Sequence, residues 1–126
     1  MQRDPDLIRA LMLILEQATQ PVSGNQQVSG YTGDEVAYHL ALIVKGGYAE
    51  GPEPRYSKTG CGSTVPIAVI AMRLTPQGHD LVDNLRSETV WNSVKEKTAK
   101  VGGSVTLEVL GQLAGAATKL ILGLPP

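Results

Sequence analysis

The first pattern of apolar positions predicts a long amphipathic helix near the start of the chain. After residue 6, apolar side chains recur every three or four positions, as on a helix that packs one face on a core. Asp4 can cap such a helix, and Pro5 suits its first turn. We expect the helix to end before Pro21. The stripe consists of Leu7, Ile8, Leu11, Ile14, Leu15 and Ala18, widened by Met12 and Leu13.

A second amphipathic helix follows a polar loop. Residues 19–30, "TQPVSGNQQVSG", predict a loop with a short strand at 26–29. Thr32 and Glu35 have the spacing of a capping box, and the pair of glycines after Lys45 supplies a helix end. The apolar residues between these signals share one helical face: Val36, Ala37, Leu40, Ile43 and Val44.

The middle of the chain predicts a β-hairpin with a long tip. Residues 48–50 should form a short strand. Residues 51–64, "GPEPRYSKTGCGST", have no apolar period and are interpreted as the hairpin tip, called the wing below. Residues 65–74, "VPIAVIAMRL", are apolar at odd and even positions alike. We therefore expect a strand that is covered on both faces.

The rest of the chain predicts helices. Thr75 and Pro76 start one, Ser87 caps a continuation, and a last helix begins at Ser104 or Thr106. Its apolar residues at helical spacing are Leu107, Leu110, Leu113, Ala114, Ala117, Ile121 and Leu124.

The predicted fold class is mainly α with a small β-hairpin, an α+β arrangement. Residues 1–86 have the element order of a winged-helix domain that lacks the helix preceding its recognition helix, and residues 87–126 form a C-terminal helical extension packed on it. A length of 126 residues suits a single compact unit.

Composition narrows the classes of function. The net charge of −1 argues against strong nucleic-acid affinity but leaves room for a local basic patch. The single cysteine, Cys61, excludes an intramolecular disulfide and suits a cytoplasmic protein. Asp4 and Asp6 precede the first apolar stretch, which is therefore not a signal peptide, and no apolar run is long enough for a membrane span.

Four segments of the chain resemble one family. They are "RDPDLIRALMLILE", "GYTGDEVAYHLALIVKGGYAEG", "LTPQGHDLVDNLRSETVWNSVKEK" and "GGSVTLEVL". In this order they are similar to the bacterial and phage proteins called domain of unknown function 2513. The resemblance implies a winged-helix-like fold and a bacterial or phage cytoplasmic protein. It implies no catalytic motif and no cofactor.

Candidate nucleic-acid contacts lie in the second helix and in the wing. Winged-helix proteins place such residues on base edges and on the phosphate backbone. Glu53 lies near the wing cations and weakens their field, so we expect modest affinity for DNA. The predicted contacts are Tyr38, Lys45, Arg55 and Lys58.

His39 is interpreted as a partly exposed helix residue, not a DNA contact, because Asp34 and Glu35 nearby would repel phosphate. Neither His39 nor His79 has a recognisable catalytic spacing to Cys61. We predict no catalytic residue and no metal site.

The last helix predicts self-association. It is apolar around much of its circumference, and such a helix is normally buried on more than one side. Burial against the preceding helices of the same chain is the alternative to a homodimer. The predicted interface comprises Trp91, Leu110, Gly111, Leu113, Gly115, Ala117 and Ile121, although Trp91 suits the core equally well.

Two functions remain open from the sequence. One is a small phage or bacterial regulator that binds DNA. The wing and the family resemblance favour this regulator. The other is an adaptor or inhibitor that binds a protein partner and has lost DNA reading, which the missing helix and the negative net charge favour. An enzyme is not expected.

Overall fold

The computed structural model describes residues 1–57 and 63–125. Within these ranges it contains five helices and two small antiparallel strand pairs, which confirms the α+β prediction. The helices are α1 (Pro5–Gln17), α2 (Gly33–Lys45), α3 (Pro76–Leu85), α4 (Glu88–Ala99) and α5 (Leu107–Ile121). The strands are β1 (Val22–Ser23), β2 (Ala49–Glu50), β3 (Ile70–Ala71) and β4 (Arg73–Leu74).

The predicted helix starts are confirmed by their caps. Asp4 Oδ1 accepts the Asp6 N–H at 2.9 Å at the start of α1. In α2, Thr32 Oγ1 accepts the Glu35 N–H at 3.1 Å and Glu35 Oε1 accepts the Thr32 N–H at 2.9 Å. These reciprocal bonds satisfy backbone donors that a helix start would otherwise leave unpaired.

Thr75 joins the end of α2 to the start of α3. Its hydroxyl donates to the Gly47 carbonyl at 2.6 Å and accepts the Gly78 N–H at 3.0 Å. Gly47 has φ +84°, the left-handed conformation that ends the turn after α2. The first turn of α3 is therefore fixed beside the last turn of α2.

The segment 70–74 pairs with a different strand on each side of Met72. Val22 of β1 pairs with Ala71, and Ala49 of β2 pairs with Leu74. Between them the Met72 N–H donates to the Glu50 carbonyl at 2.7 Å. Ala71 and Leu74 are both buried although they lie three positions apart, an odd spacing that puts residues of one regular strand on opposite faces.

Two strand predictions are wrong. The first short strand lies at Val22–Ser23 and not at 26–29, because the Gln26 N–H donates to the Ser23 carbonyl and closes a turn. The segment 65–74 is not covered on both faces: Val69, Ala71 and Leu74 are buried, whereas Ile67, Ile70 and Met72 remain 64%, 39% and 41% exposed. The helices pack on the side of Ala71. Apolar residues at both odd and even positions therefore did not indicate burial of both faces.

The core forms around α1, which contacts α2, α3 and β4. Leu7, Leu11 and Met12 of α1 are fully buried in the same core as Leu40 of α2. Helix α5 packs against α3 and α4 and ends at Ile121, one turn earlier than the pattern predicted.

Ion pairs join the outer ends of the helices. Arg86, at the end of α3, pairs with Glu16 of α1 and with Asp83. Lys95 of α4 pairs with Asp6 at 3.0 Å.

Candidate functional site

The outward face of α2 forms one wall of a groove. Val36, Leu40 and Ile43 face the core and are buried. Tyr38 and Leu42 are half-buried on the other side, and Lys45 is exposed. Spacings of four and three residues place these three side chains on one helical face.

Other elements complete the groove, which has a volume of about 550 Å³. The base of the wing contributes Tyr56, and the first turns of α3 and α5 contribute Gln77 and Glu108. Arg3 reaches the same groove from the residue before the cap of α1. The full lining comprises Arg3, Tyr38, Ala41, Leu42, Lys45, Gly46, Tyr48, Tyr56, Gln77, Leu107 and Glu108.

A cation–π contact attaches the wing base to α2. Lys45 Nζ lies 5.5 Å from the centroid of the Tyr56 ring. Next to Tyr56, Arg55 is held by its backbone: its N–H donates to the Ala68 carbonyl at 2.9 Å, and its carbonyl accepts the Ile67 N–H at 2.7 Å. The Arg55 side chain is exposed beside the groove.

The structure thus brings Tyr38 and Lys45 to one groove, whereas Arg55 is exposed and is not among the residues that line it. The fourth predicted contact, Lys58, lies outside the described residues, as does Cys61. Sequence reasoning missed Arg3 and Tyr56. Their positions in the chain carry no shared pattern, and only the packing of α1 and the wing on α2 brings them together.

The described cations fall into two groups by their ion pairs. Arg9, Arg73, Arg86 and Lys95 each form an ion pair with a carboxylate. Among the residues that the structure describes, Lys97, Lys100 and Lys119 have no carboxylate within ion-pair distance, and the same holds for Arg3, Lys45 and Arg55. Their charge is available to an anionic ligand, although Glu108 lines the same groove.

The family follows from a comparison with known proteins. The family model described as "Hypothetical protein (DUF2513)" matches residues 2–104. The chain belongs to the DUF2513 family. A protein of Haemophilus influenzae, described as an uncharacterized protein, is 35% identical over 117 residues, which cover 90% of this chain and 92% of that protein. No solved structure matches the chain.

The DUF2513 match covers α1–α4 and most of the groove. Arg3, Tyr38, Lys45, Arg55 and Tyr56 all fall within residues 2–104. Helix α5 begins at Leu107, after the matched segment ends.

His39 corrects the sequence interpretation of this DUF2513 chain. It is only 1% exposed, and its ring lies between two backbone groups. Nε2 accepts the Asp4 N–H at 2.8 Å, and Nδ1 lies 2.7 Å from the Glu35 carbonyl. Since a carbonyl only accepts, Nδ1 carries the proton and the ring is neutral. Burial lowers the pKa of His39.

Tyr31 belongs to the same corner of the molecule. Burial, and then the neighbouring Asp4 carboxylate, raise the pKa of Tyr31 to about 12. Tyr31 therefore stays a neutral hydrogen-bonding group near the cap of α1 at physiological pH.

Most of the predicted interface residues lie inside the chain. Trp91, Leu110 and Ala117 are 4%, 2% and 4% exposed, so they are not available to a second copy. The Trp91 indole N–H donates to Asp6 Oδ1 at 3.1 Å, and the Arg9 guanidinium lies 5.5 Å from its ring.

The two glycines of α5 face the same chain. A Cβ at Gly111 would lie 3.6 Å from Leu81 Cδ1, and one at Gly115 would lie 3.9 Å from Asn84 Nδ2. The small residues therefore let α5 approach α3. Leu113 is half-buried, and Ile121 is 54% exposed.

A second, larger cleft of about 1360 Å³ lies between residues 23–37 and 63–70. Asp34 is the one charged residue among its described lining, which otherwise consists of amide, hydroxyl and apolar groups. In a helix-turn-helix protein a helix precedes the recognition helix and packs on it. Residues 24–31, which precede α2 here, contain no helix, and the cleft lies at their position.

Two further features of the described part of this DUF2513 chain concern metal binding and membrane crossing. Residues 1–57 and 63–125 contain no group of three or more His, Cys, Asp or Glu side chains that could hold a metal ion. Among the same residues, no helix is long and apolar enough to cross a membrane.

Proposed function

We propose that this protein is a small, non-enzymatic regulator that binds DNA with modest affinity through the groove of α2. The observation that carries the proposal is that Lys45 and the two tyrosines Tyr38 and Tyr56 line one groove along α2, with Arg55 next to Tyr56 in the chain. Lysine and arginine supply charge for the phosphates, and tyrosine hydroxyls supply hydrogen bonds.

The strand pairing supports a winged-helix scaffold. β1 pairs with one half and β2 with the other half of the segment 70–74, which returns from the wing, and α1 and α2 precede that segment in the chain and contact its strands. A winged-helix domain has this arrangement, with its recognition helix at the position of α2. We propose the fold on this ground and assign α2 the corresponding role.

The charge distribution favours contacts to the phosphate backbone over base reading. Asp34 and Glu35 occupy the first turn of α2, which is the end that a recognition helix directs at base edges. Lys45 lies in the last turn of α2, at the opposite end. Backbone contacts position a protein but carry no sequence information, so we expect weak sequence preference.

A salt titration tests the proposal. Binding of a short fluorescent duplex of mixed sequence is measured by anisotropy between about 50 and 200 mM salt. The double variant Lys45→Gln/Arg55→Gln should flatten the slope of log K against log[salt] by about 2. The control Lys97→Gln/Lys100→Gln removes the same charge from exposed positions at the end of α4 and should leave the slope unchanged. Equal slopes for both double variants would move the site away from this groove.

A protein-binding adaptor is the second candidate function, and the larger cleft favours it. The cleft beside residues 24–31 is open and nearly uncharged in its described lining, as suits a neutral protein surface more than a phosphate backbone. Absence of duplex binding by the wild-type protein at low salt would favour the adaptor over the regulator.

We also propose a homodimer, through a face of α5 that differs from the one predicted. Val109, Leu113, Ala116 and Leu120 share a stripe directed away from the buried Leu110 and Ala114, and Leu120 is 77% exposed. A two-fold dimer would present the α2 groove twice, as regulators of this kind do on paired half-sites. A cytoplasmic location in a bacterium or phage-infected cell fits such a role.

A further inference from the structure

Asp4, the residue that precedes α1, is fixed by hydrogen bonds of its backbone N–H, its carboxylate and its backbone carbonyl. Its N–H donates to His39 Nε2 at 2.8 Å, its carboxylate caps α1, and its carbonyl accepts the Ile8 N–H at 3.0 Å. The bond to His39 is the one among these that joins Asp4 to α2. It therefore sets where the preceding residues lie relative to the groove.

Arg3 is the side chain whose position depends on this bond. It lines the groove together with Tyr38 and Lys45. Tyr38 precedes His39 in α2, and their ring centroids are 5.4 Å apart. In the described part of the chain Arg3, like Lys45, has no carboxylate within ion-pair distance.

We propose that Arg3 is a second phosphate-binding cation of the groove, beside Lys45, and that His39 is the positioning residue that holds it there through Asp4. This inference rests on the proposed binding of DNA in the groove of α2. It adds a contact from an element that precedes α1, and it assigns a role to a histidine that does not itself reach the ligand.

Protonation of His39 should release this attachment. The charged groups around the ring are the Asp4 and Glu35 carboxylates and the Arg3 guanidinium, and the Tyr38 ring packs edge-on against it. A proton on Nε2 would face the Asp4 N–H, so a donor would oppose a donor and the hydrogen bond would be lost. A histidine that touched phosphate would strengthen binding as the pH falls. Here we expect acid to weaken it.

The Arg3 contact is tested first by its salt dependence. Arg3→Gln should lower the slope of log K against log[salt] by about 1 for the mixed-sequence duplex. Lys119→Gln is the matched control, because it removes the same charge 12 residues beyond Leu107, about 18 Å along the axis of α5. Wild-type binding combined with an unchanged slope in Arg3→Gln would overturn this inference and leave the proposed function standing.

The positioning role is tested by non-additivity and by pH. His39→Leu removes the acceptor, so it should weaken binding, and the double variant with Arg3→Gln should bind no more weakly than His39→Leu alone. His39→Gln keeps a neutral acceptor and should bind like wild type at pH 7.5 but lose the weakening at pH 5.5. Additive losses, or an acid weakening that persists in His39→Gln, would contradict the role of His39.

A measurement without DNA separates the two proposals. Amide hydrogen exchange in the free protein, followed by NMR, should show that the protection factor of the Asp4 amide falls at acid pH more than that of the Leu11 amide does. Wild-type protein that binds no duplex at low salt would remove both the proposed function and the Arg3 contact, whatever the Asp4 exchange shows. Arg3→Gln is exposed and leaves the core intact, so it remains informative if His39→Leu fails to fold.

Discussion

Gly78 and Gly33 occupy the first turns of two helices, but their surroundings differ. A Cβ at Gly78 would lie 1.9 Å from the Tyr48 carbonyl oxygen, whereas a Cβ at Gly33 would have no neighbour within 4 Å. The Tyr48 carbonyl also accepts the Thr75 N–H at 3.1 Å, so it cannot move without disturbing the cap of α3. A glycine at position 78 is what lets α3 start so close to the strand.

The two glycines therefore give a matched stability prediction. Gly78→Ala should destabilise the fold by on the order of 1–3 kcal/mol, because the methyl group forces α3 away from Tyr48. Gly33→Ala should be neutral or stabilise by about 0.4–1 kcal/mol, through reduced freedom of the unfolded chain. Urea unfolding of both variants measures the difference, and equal stabilities would contradict the close packing.

His39 gives a prediction for pH. Burial keeps its folded-state pKa below the unfolded value of about 6.5, so the unfolded chain binds a proton more readily. Its contribution to stability is full above about pH 6.5 and is lost as the pH falls towards the lowered pKa, by up to about 1.4 kcal/mol per pH unit. Between pH 7.5 and 5.5, the free energy of unfolding should fall more in wild type than in His39→Gln. The exposed His79→Gln should behave as wild type, and a shared pH slope for all three proteins would contradict the assignment.

At the scale of elements, α2 is divided between two tasks. One face contributes Leu40 to the core, fully buried with Leu7 and Leu11 of α1. The other face presents Tyr38, Leu42 and Lys45 to the groove. The capping box and the glycine end fix where the helix begins and ends. The same two signals therefore position both the core face and the groove face.

Alanine substitutions on the two faces should separate these tasks. Leu40→Ala should lower the free energy of unfolding by about 2–4 kcal/mol, because it leaves a cavity between α1 and α2. Leu42→Ala, on the half-buried groove face, should cost less. Urea unfolding compares them, and a loss below about 0.5 kcal/mol for Leu40→Ala would be inconsistent with the packing.

At the scale of the whole molecule, α5 carries Leu120, which at 77% is the most exposed large apolar residue in the described part of the chain. Ile121, at the end of the same helix, is 54% exposed. A two-fold contact between α5 helices would cover them in the proposed dimer.

Light scattering tests this assembly directly. Wild type should have twice the mass of the 13.3 kDa chain at micromolar concentration, and Leu120→Lys should restore the monomer. Val101→Lys is the matched control, because Val101 is also strongly exposed, at 67%, but lies outside α5. A monomeric wild type would end the dimer proposal, and dissociation of the control would place the contact elsewhere.

The sequence by itself determined where the helices start and which faces they bury. Asp4, Thr32, Thr75 and Ser87 each cap the helix that the pattern predicted, because capping depends on residues within one turn. Periodicity likewise identified the buried faces of α1 and α2. The family resemblance, which rests on these segments, is confirmed by the match over residues 2–104.

Only the tertiary structure decided which side chains meet. The number of buried faces of the apolar segment 65–74 depended on where the helices pack. The break between β3 and β4 at Met72 depended on two different pairing partners. His39 is buried because the backbone of Asp4 supplies a donor from 35 residues away. Arg3, Lys45 and Tyr56 likewise share a groove only because residues that are distant in the chain pack together. Contacts between distant residues arise from packing, and local periodicity carries no record of them.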